Sequence, residues 1–388
     1  MKIIRVLLIG CGGVGGSLLE QIVSNRERHA ADGVRIAVAG VCDSRSVLQA
    51  HISAGHNDID DDVLKAILEA KAAGKSMTEI CKEKLLEGIL VADLSPPPAD
   101  DLRNLIKSIL RSEDTVLNAK HGLVVVDCSA SESLAPVLAS AVQHDGCCVV
   151  LANKKPMTSS LEVYDGLMST ARRFRYEATV GAGLPVNTML RRMVSAGDEV
   201  RRIAGALSGT LGYVMSGLQD GRPFSDVVTD AKRLGYTEPD PRDDLAGMDV
   251  ARKALIMARQ LGWRLNMEDV KVESLYPDTL SPAFMSSGDF MASLTELDES
   301  YRHRCQEAKE QGCILRYAAV VENGTCCVGL VSVPQHSPLG RLRGSDNLVE
   351  ITSRCYSGSP LIIQGAGAGN YTTANGVLAD ILDLQDVV

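Results

Sequence analysis

The chain has 388 residues, of which 45% are hydrophobic and 23% charged, with a formal net charge of −9. That length is more than one core usually serves, so two domains are expected, and the apolar content is enough to bury both. The acidic balance, without a run of five or more basic residues, excludes nucleic acid or an anionic membrane as the main partner and leaves small molecules. The 11 cysteines include the neighbours Cys147/Cys148 and Cys326/Cys327 but form no CxxC pair and no dense secreted-type framework, which fits a reducing compartment. A cytoplasmic location is expected, or an organellar one if a transit leader has been removed. The apolar opening over 3–9 is too short for a signal peptide, and no stretch reaches the ~18 apolar residues of a membrane helix.

In chain order, residues 3–9 read as a buried parallel strand that runs directly into Gly10-Cys11-Gly12-Gly13-Val14-Gly15-Gly16 and then a helical run over 17–23. Strand, GxGxxG and helix in that order form a dinucleotide-binding turn. Gly10, Gly12, Gly13, Val14 and Gly15 would let a pyrophosphate approach bare backbone at a helix N-terminus. A generic glycine turn is the alternative, and the correct flanks favour the dinucleotide. Cys11, inside this loop, is expected to make cofactor binding sensitive to thiol reagents. A second strand over 34–41 ends in Cys42-Asp43-Ser44-Arg45, where such a fold reads the adenosine ribose. Asp43 suits the ribose of NAD and Arg45 the 2′-phosphate of NADP, so the cofactor choice stays open. Residues 50–112 read as a polar, helical surface layer with a turn at Ser95-Pro-Pro-Pro98 and no visible chemistry. A third strand over 123–127 leads to Ser129, and a fourth over 147–152 leads to Asn153-Lys154-Lys155-Pro156. Ligands bind beyond the carboxyl ends of parallel strands, which places Ser129 and Lys154 to meet cofactor and substrate; for Lys154 a plain surface lysine is the alternative.

From Tyr176 a strand dissolves into the glycine loop Val180-Gly181-Ala182-Gly183-Leu184. Its carbonyl oxygens with Glu177 suit a hard monovalent cation, a plain turn being the alternative. Ser208-Gly209-Thr210 lies between a strand and an apolar helix over 211–218, where backbone amides can receive a substrate carboxylate. The most informative stretch is Tyr236-Thr-Glu238-Pro-Asp-Pro-Arg-Asp243-Asp244-Leu-Ala-Gly-Met-Asp249-Val-Ala-Arg-Lys253. Pro239 and Pro241 disfavour helix before them, so 238–243 should be an exposed, fixed loop with a helix from about Leu245. Asp249 and Lys253 then share one helix face, where a carboxylate can hold a proton-moving ammonium; the alternative is a solvated ion pair. Short β runs over 315–321 and 326–331 read as sheet scaffolding. The end is strand, glycine loop to Gly369, and helix over 373–384, returning to the nucleotide domain. The seven histidines lack ligand spacing and GxSxG is absent, which excludes zinc catalysis and a histidine triad.

The fragments GCGGVGG, ANKKP, YEATVGAGLPV, SGTLGYVMSGL, GYTEPDPRDDLAGMDVARK and GAGAG, in this order along the whole chain, resemble homoserine dehydrogenase. The likeness is greatest to the dehydrogenase half of bifunctional aspartokinase–homoserine dehydrogenases, here without the kinase half. No room is expected after Leu384 for a regulatory ACT module, and hence no threonine feedback through one. The resemblance implies an α/β fold with a Rossmann-type doubly wound parallel sheet over 1–155. A second α/β catalytic and dimerisation domain follows over 156–358, and a returning segment over 359–388. It implies reversible NAD- or NADP-dependent interconversion of L-aspartate 4-semialdehyde and L-homoserine in threonine and methionine biosynthesis. Lys253 is then the proton donor, Asp249 its orienting partner and Lys154 the lysine between nicotinamide and substrate. Glu238 binds the substrate ammonium, with Tyr236, Asp243 and Asp244 lining the pocket. Glu177 and the carbonyls of Val180, Ala182 and Leu184 match a sodium site, and the second domain forms a homodimer through its sheet. Two readings compete: an aspartate semialdehyde dehydrogenase with Cys128 as nucleophile, and a cofactor-binding regulator without catalysis.

Overall fold

The computed structural model describes residues 1–50, 58–77, 79, 89–93, 123–143 and 146–388. It divides into two compact units, Met1–Gly183 with Gly369–Val388, and Leu184–Ala368. The expected boundaries at 155/156 and 358/359 therefore both fall too early. The first sheet continues to Arg175, and the strand over 361–366 pairs within the second sheet.

The first unit is built on seven strands, β1 (Lys2–Ile9), β2 (Val34–Cys42), β3 (Ser46–Ala50), β4 (Ile89–Asp93), β5 (Leu123–Asp127), β6 (Cys148–Leu151) and β7 (Phe174–Arg175). Their order is β4-β3-β2-β1-β5-β6-β7. β1 pairs in parallel with β2 and β5, and its last residue, Ile9, lies opposite both Cys42 and Asp127. Three strands thus end together, and the loops after them emerge along one edge. Ile4, Val6, Leu8, Val38, Val124 and Val126 are all fully buried, as two-sided coverage of central parallel strands requires. The helices Gly13–Ser24 and Asn370–Leu382 pack on each other, as do Ala135–Gln143 and Leu161–Met168.

This sheet is mixed rather than wholly parallel. β2 turns straight back into β3, and β3 pairs antiparallel with both β2 and β4. The cause is local: Asp43 Oδ1 accepts the backbone N–H of Arg45 and of Ser46, both at 2.8 Å, a side-chain-closed turn that reverses the chain. The expected helical layer over 50–112 accordingly contains a strand, β4, besides the helix Asp61–Ala72. The Ser95–Pro98 turn and His51, His56, His121 and His144 lie outside the described residues. The strand expected around Tyr176 ends at Arg175 and gives way to a 3-10 turn, Glu177–Thr179.

The second unit carries β8 (Val200–Ala206), β9 (Lys271–Val272), β10 (Cys313–Glu322), β11 (Thr325–Pro334), β12 (Asp346–Ser353) and β13 (Leu361–Ala366). The order is β13-β12-β8-β10-β11-β9, antiparallel except for β9 on β11. Helices Gly209–Gln219, Met248–Gln260 and Asp298–Glu310 pack against its central strands. Alternation sends Ala318 and Val320 of β10 and Cys327, Gly329 and Val331 of β11 to a common face, where they line a hollow of ≈ 290 Å³. None of the candidate catalytic residues lines it. Among the described residues no helix is long and apolar enough to cross a membrane.

Candidate active site

In the first unit Gly10 has a φ of 92°, and a Cβ on Gly15 would stand 1.9 Å from the Gly10 carbonyl oxygen. The turn and the first helix therefore touch backbone to backbone. Gly12 caps the helix Gly13–Ser24 without a side-chain hydrogen bond, and a Cβ there would meet nothing within 4 Å. Val14 is half-buried. A helix start with its first amides uncapped by any side chain, beside open space, fits a dinucleotide diphosphate. The side chain of Asn370 lies against Gly13, and Gly369 caps that terminal helix, its carbonyl accepting the Thr373 N–H at 3.0 Å.

Asp43 is committed within the protein. Besides closing its turn, its Oδ2 accepts from Lys71 Nζ at 2.8 Å. Burial alone would raise its pKa, but Lys71 and the turn amides outweigh burial and hold the carboxyl below its usual value. Arg45, next in the turn, is exposed. Sequence reading missed Lys71, which pairs with Asp43 from a helix 28 residues away.

Asp127, fully buried at the end of β5, accepts the Ser129 N–H at 2.9 Å and the Asn153 side-chain amide at 3.0 Å. Asn153 also donates to the Ser131 carbonyl at 2.7 Å. This pair fixes the two loops that carry Ser129 and the half-buried Lys154. Its burial pushes Asp127 up to about 6. The available signal was a polar residue ending an otherwise apolar strand. Burial also raises the Cys128 thiol, which disfavours it as the nucleophile a semialdehyde-to-acyl reading needs. Cys11 is 3% exposed with its thiol pushed up to about 11, so the expected sensitivity to thiol reagents does not follow.

The loop after β7 is tied to the terminal helix: Glu177 N–H donates to Asp380 Oδ2 at 2.7 Å. Gly181 and the non-glycine Ala182 are both left-handed, at φ 77° and 56°, two successive sharp turns of the chain that bears the Val180 and Ala182 carbonyls. Leu184 opens the second unit, its carbonyl accepting the Val186 N–H at 2.8 Å. Burial pushes Asp380 up to about 8 from the ordinary 3.8. A raised acid binds its proton more tightly folded than unfolded, so the stability it contributes is full below about 3.8 and lost as pH rises through about 8. Asp380→Asn is therefore expected to gain melting temperature over the wild type between pH 5 and 9. A Tm difference that stays constant across that range would show that Asp380 does not titrate there.

In the second unit the expected helix from Leu245 is interrupted. Arg242–Leu245 forms one turn, Gly247 is left-handed at φ 74°, and the long helix runs Met248–Gln260. Tyr317 fixes the break, since a Cβ on Gly247 would stand 1.9 Å from its hydroxyl. The long helix places Lys253 with 7% exposure; its Nζ sits 2.7 Å from Asp249 Oδ2 and donates to the Leu207 carbonyl at 2.7 Å. Asp249 keeps 52% of its side chain exposed. A buried ammonium held by one carboxylate and one carbonyl is not the solvated ion pair of the alternative reading. Leu207 ends the β8 connection, and Ser208 caps the next helix by accepting the Leu211 N–H at 3.2 Å.

The acidic loop closes onto the same helix. The Thr210 hydroxyl lies 2.5 Å from the Tyr236 carbonyl and 3.2 Å from Asp244 Oδ1, while Asp244 Oδ2 accepts the Glu238 N–H at 2.8 Å. Burial raises the Asp244 carboxyl despite these bonds. Tyr236 is 46% exposed, its ring centroid 4.9 Å from that of Tyr213. Glu238 and Asp243 are exposed, leaving two carboxylates at the surface to attract a cation. Leu207 and Tyr213 had no signal as participants, whereas Ser208 lies in the loop singled out from the sequence.

One unit thus carries a glycine turn at a helix start uncapped by any side chain, and the other a buried lysine held by a carboxylate. The family models for the homoserine dehydrogenase NAD-binding domain and for homoserine dehydrogenase match residues 10–178 and 185–382. The chain belongs to the homoserine dehydrogenase family, a family of NAD(P)-dependent oxidoreductases. It is 36% identical, over 98% of its length, to the bifunctional aspartokinase/homoserine dehydrogenase of Haemophilus influenzae, of which it spans 43%. Among solved structures, it resembles a Candida auris protein of unknown function at TM-score 0.81 and 31% identity, covering 100% of this chain and 99% of that one. A hyperthermophilic archaeal homoserine dehydrogenase in complex with NADPH shares the fold at TM-score 0.70 and 21% identity, covering 98% and 97% of the two chains.

Proposed function

We propose that the protein catalyses the reversible reduction of L-aspartate 4-semialdehyde to L-homoserine with NADPH, in threonine and methionine biosynthesis. The observation that carries this reading is the buried Lys253 ammonium, 2.7 Å from Asp249. The nicotinamide, when bound, supplies the hydride that the aldehyde carbon accepts. Lys253 gives a proton to the aldehyde oxygen as charge grows there, and in reverse takes it from the homoserine hydroxyl. Asp249 holds the ammonium in line. Glu238 takes the substrate ammonium, with Asp243, Asp244 and Tyr236 shaping the pocket and Thr210 fixing its wall. Lys154, at the end of β6, serves the polar side of the substrate. The test is reduced-nicotinamide absorbance on mixing L-homoserine with NADP⁺; no signal from protein that binds the cofactor would sink the proposal.

The preference for NADP over NAD rests on Asp43, whose oxygens are engaged by Lys71 and its own turn, leaving Arg45 exposed for a 2′-phosphate. Arg45→Ala is expected to raise KM for NADP⁺ about 10- to 100-fold, the worth of one or two charge-assisted bonds, and to change KM for NAD⁺ less than twofold. Equal changes for both cofactors would remove Arg45 from that role.

Sodium on Glu177 and the carbonyls of Val180, Ala182 and Leu184 is part of the same proposal, supported by the double left-handed turn at 181–182. Turnover unchanged when sodium is replaced by a bulky organic cation would count against it. A homodimer is proposed through the sheet face of Ala318, Val320, Cys327 and Val331, supported by the hollow there, which Lys271 and Glu273 also line. A monomer mass in solution at micromolar concentration would exclude it. The ten free cysteines among the described residues support a reducing compartment, the cytoplasm or an organelle, which cell fractionation would test.

A further inference from the structure

The carboxylates that receive the substrate ammonium sit on a loop whose prolines fix its local shape but not its place in the unit. That place is held by Arg242, an otherwise puzzling residue: a guanidinium 3% exposed, in a one-turn helix, inside a segment rich in acids. Burying such a charge is costly unless its donors are met, and here they are. Nε lies 3.0 and 3.1 Å from the two oxygens of Asp240 and Nη2 lies 2.6 Å from Oδ2, a two-pronged grip on the loop itself. On its other side Nη1 donates to the carbonyls of Leu280, at 3.3 Å, and Met285, at 2.9 Å. The guanidinium carbon is 5.2 Å from the Phe290 ring centroid. The backbone N–H of Arg242 adds a bond to Asp240 Oδ1 at 3.1 Å. One side chain therefore ties the loop to a segment about forty residues later, and both ends of that segment meet the same nitrogen.

We propose that Arg242 is a positioning residue for substrate binding. It fixes the loop over 236–244 so that Glu238, Asp243 and Asp244 are presented in one arrangement, without touching the substrate. This rests on the reading of those carboxylates as the ammonium site. A bidentate, planar donor is what the geometry uses: a lysine could satisfy Asp240 or one carbonyl, but not both sides. The loop would then sample several positions, and binding would fall by the fraction of time the competent one is lost.

The experiment compares wild type, Arg242→Ala, Arg242→Lys and Asp240→Asn. It uses steady-state kinetics with L-homoserine and NADP⁺, fluorescence titration of NADPH, and amide hydrogen exchange. For Arg242→Ala the expected result is a rise of about 100-fold in KM for homoserine. kcat should fall less than tenfold and NADPH affinity stay within twofold, with partial recovery on adding guanidinium ions at millimolar concentration. Exchange should quicken at Glu238 and Asp244–Ala246 while the core of Met248–Gln260 stays protected. Arg242→Lys and Asp240→Asn, which keep more of the packing, should show KM raised about tenfold and report the effect if the alanine variant does not fold. Unchanged KM and unchanged loop exchange in the lysine and asparagine variants would overturn the proposal. So would parallel losses of KM, NADPH affinity and helix protection, which mean general unfolding. If the wild type turns over no homoserine, the functional reading fails, and loop exchange alone still decides whether Arg242 is the clamp.

Discussion

Lys253→Ala is expected to lower kcat for homoserine oxidation by three to four orders of magnitude while NADPH binds within twofold of the wild type. General acid–base catalysis by one placed side chain is worth roughly 10²–10⁴-fold, and this ammonium is aligned on both sides. It meets Asp249 Oδ2 and the Leu207 carbonyl, each at 2.7 Å, at a depth where water does not substitute readily. The variant should still fold. Its cost is the Leu207 carbonyl left without that donor and an Asp249, already half in water, without the Lys253 ammonium, on the order of 1–3 kcal/mol. Stopped-flow or steady-state absorbance with L-homoserine gives the turnover, and NADPH fluorescence gives the affinity. A kcat within tenfold of the wild type would move the proton-transfer role to another residue, with Lys154 the first to examine.

Gly15→Ala should abolish useful cofactor binding, raising Kd for NADPH at least 100-fold. The added Cβ lands 1.9 Å from the Gly10 oxygen, against about 3.4 Å for ordinary contact, and neither partner is a side chain that can swing aside. Gly10 cannot retreat, because its own Cα faces the Cys128–Ser129 backbone, with Ser129 N 2.6 Å from a Cβ placed there. The helix start or the turn must shift by more than an ångström, and either displaces the amides that meet the diphosphate. Gly12→Ala is the informative control. Its Cβ meets nothing within 4 Å, so Tm should stay within about 2 °C of the wild type while NADPH binding weakens. If Gly12→Ala binds NADPH normally, the diphosphate does not pass over that glycine.

What could be read from the sequence follows from which interactions have letters. The glycine turn was legible because only glycine tolerates a backbone contact of that kind, and the acidic block because two prolines and an i, i+4 pair are local. The partner of Lys253 that sets its depth is a backbone carbonyl, Leu207, which no residue type marks. Lys71 on Asp43, Asp380 on Glu177 and Asn370 on Gly13 are long-range meetings that only the fold creates. The antiparallel β3 was missed because a five-residue segment with only Val47, Leu48 and Ala50 apolar, beside a polar turn, is ambiguous between strand and helix, and β7 because it has two residues. The first unit boundary moved because β7 extends the first sheet, and the second because β13 pairs with β12 in the second sheet.

The return of residues 369–388 to the first unit also sets an order of events during synthesis. Leu184–Ala368 is one uninterrupted stretch, and all six of its strands have left the ribosome before Asn370 does. The unit begun first is finished last: Ala374, Val377 and Ile381, each fully buried, belong to its closing helix. The usual N-terminal-first sequence of domain folding is thereby inverted. A nascent chain can hold Lys253 in place before its glycine turn has the Asn370 side chain to lean on. Completion of the glycine-turn unit therefore waits on the helix Asn370–Leu382, which is made only after the whole of Leu184–Ala368.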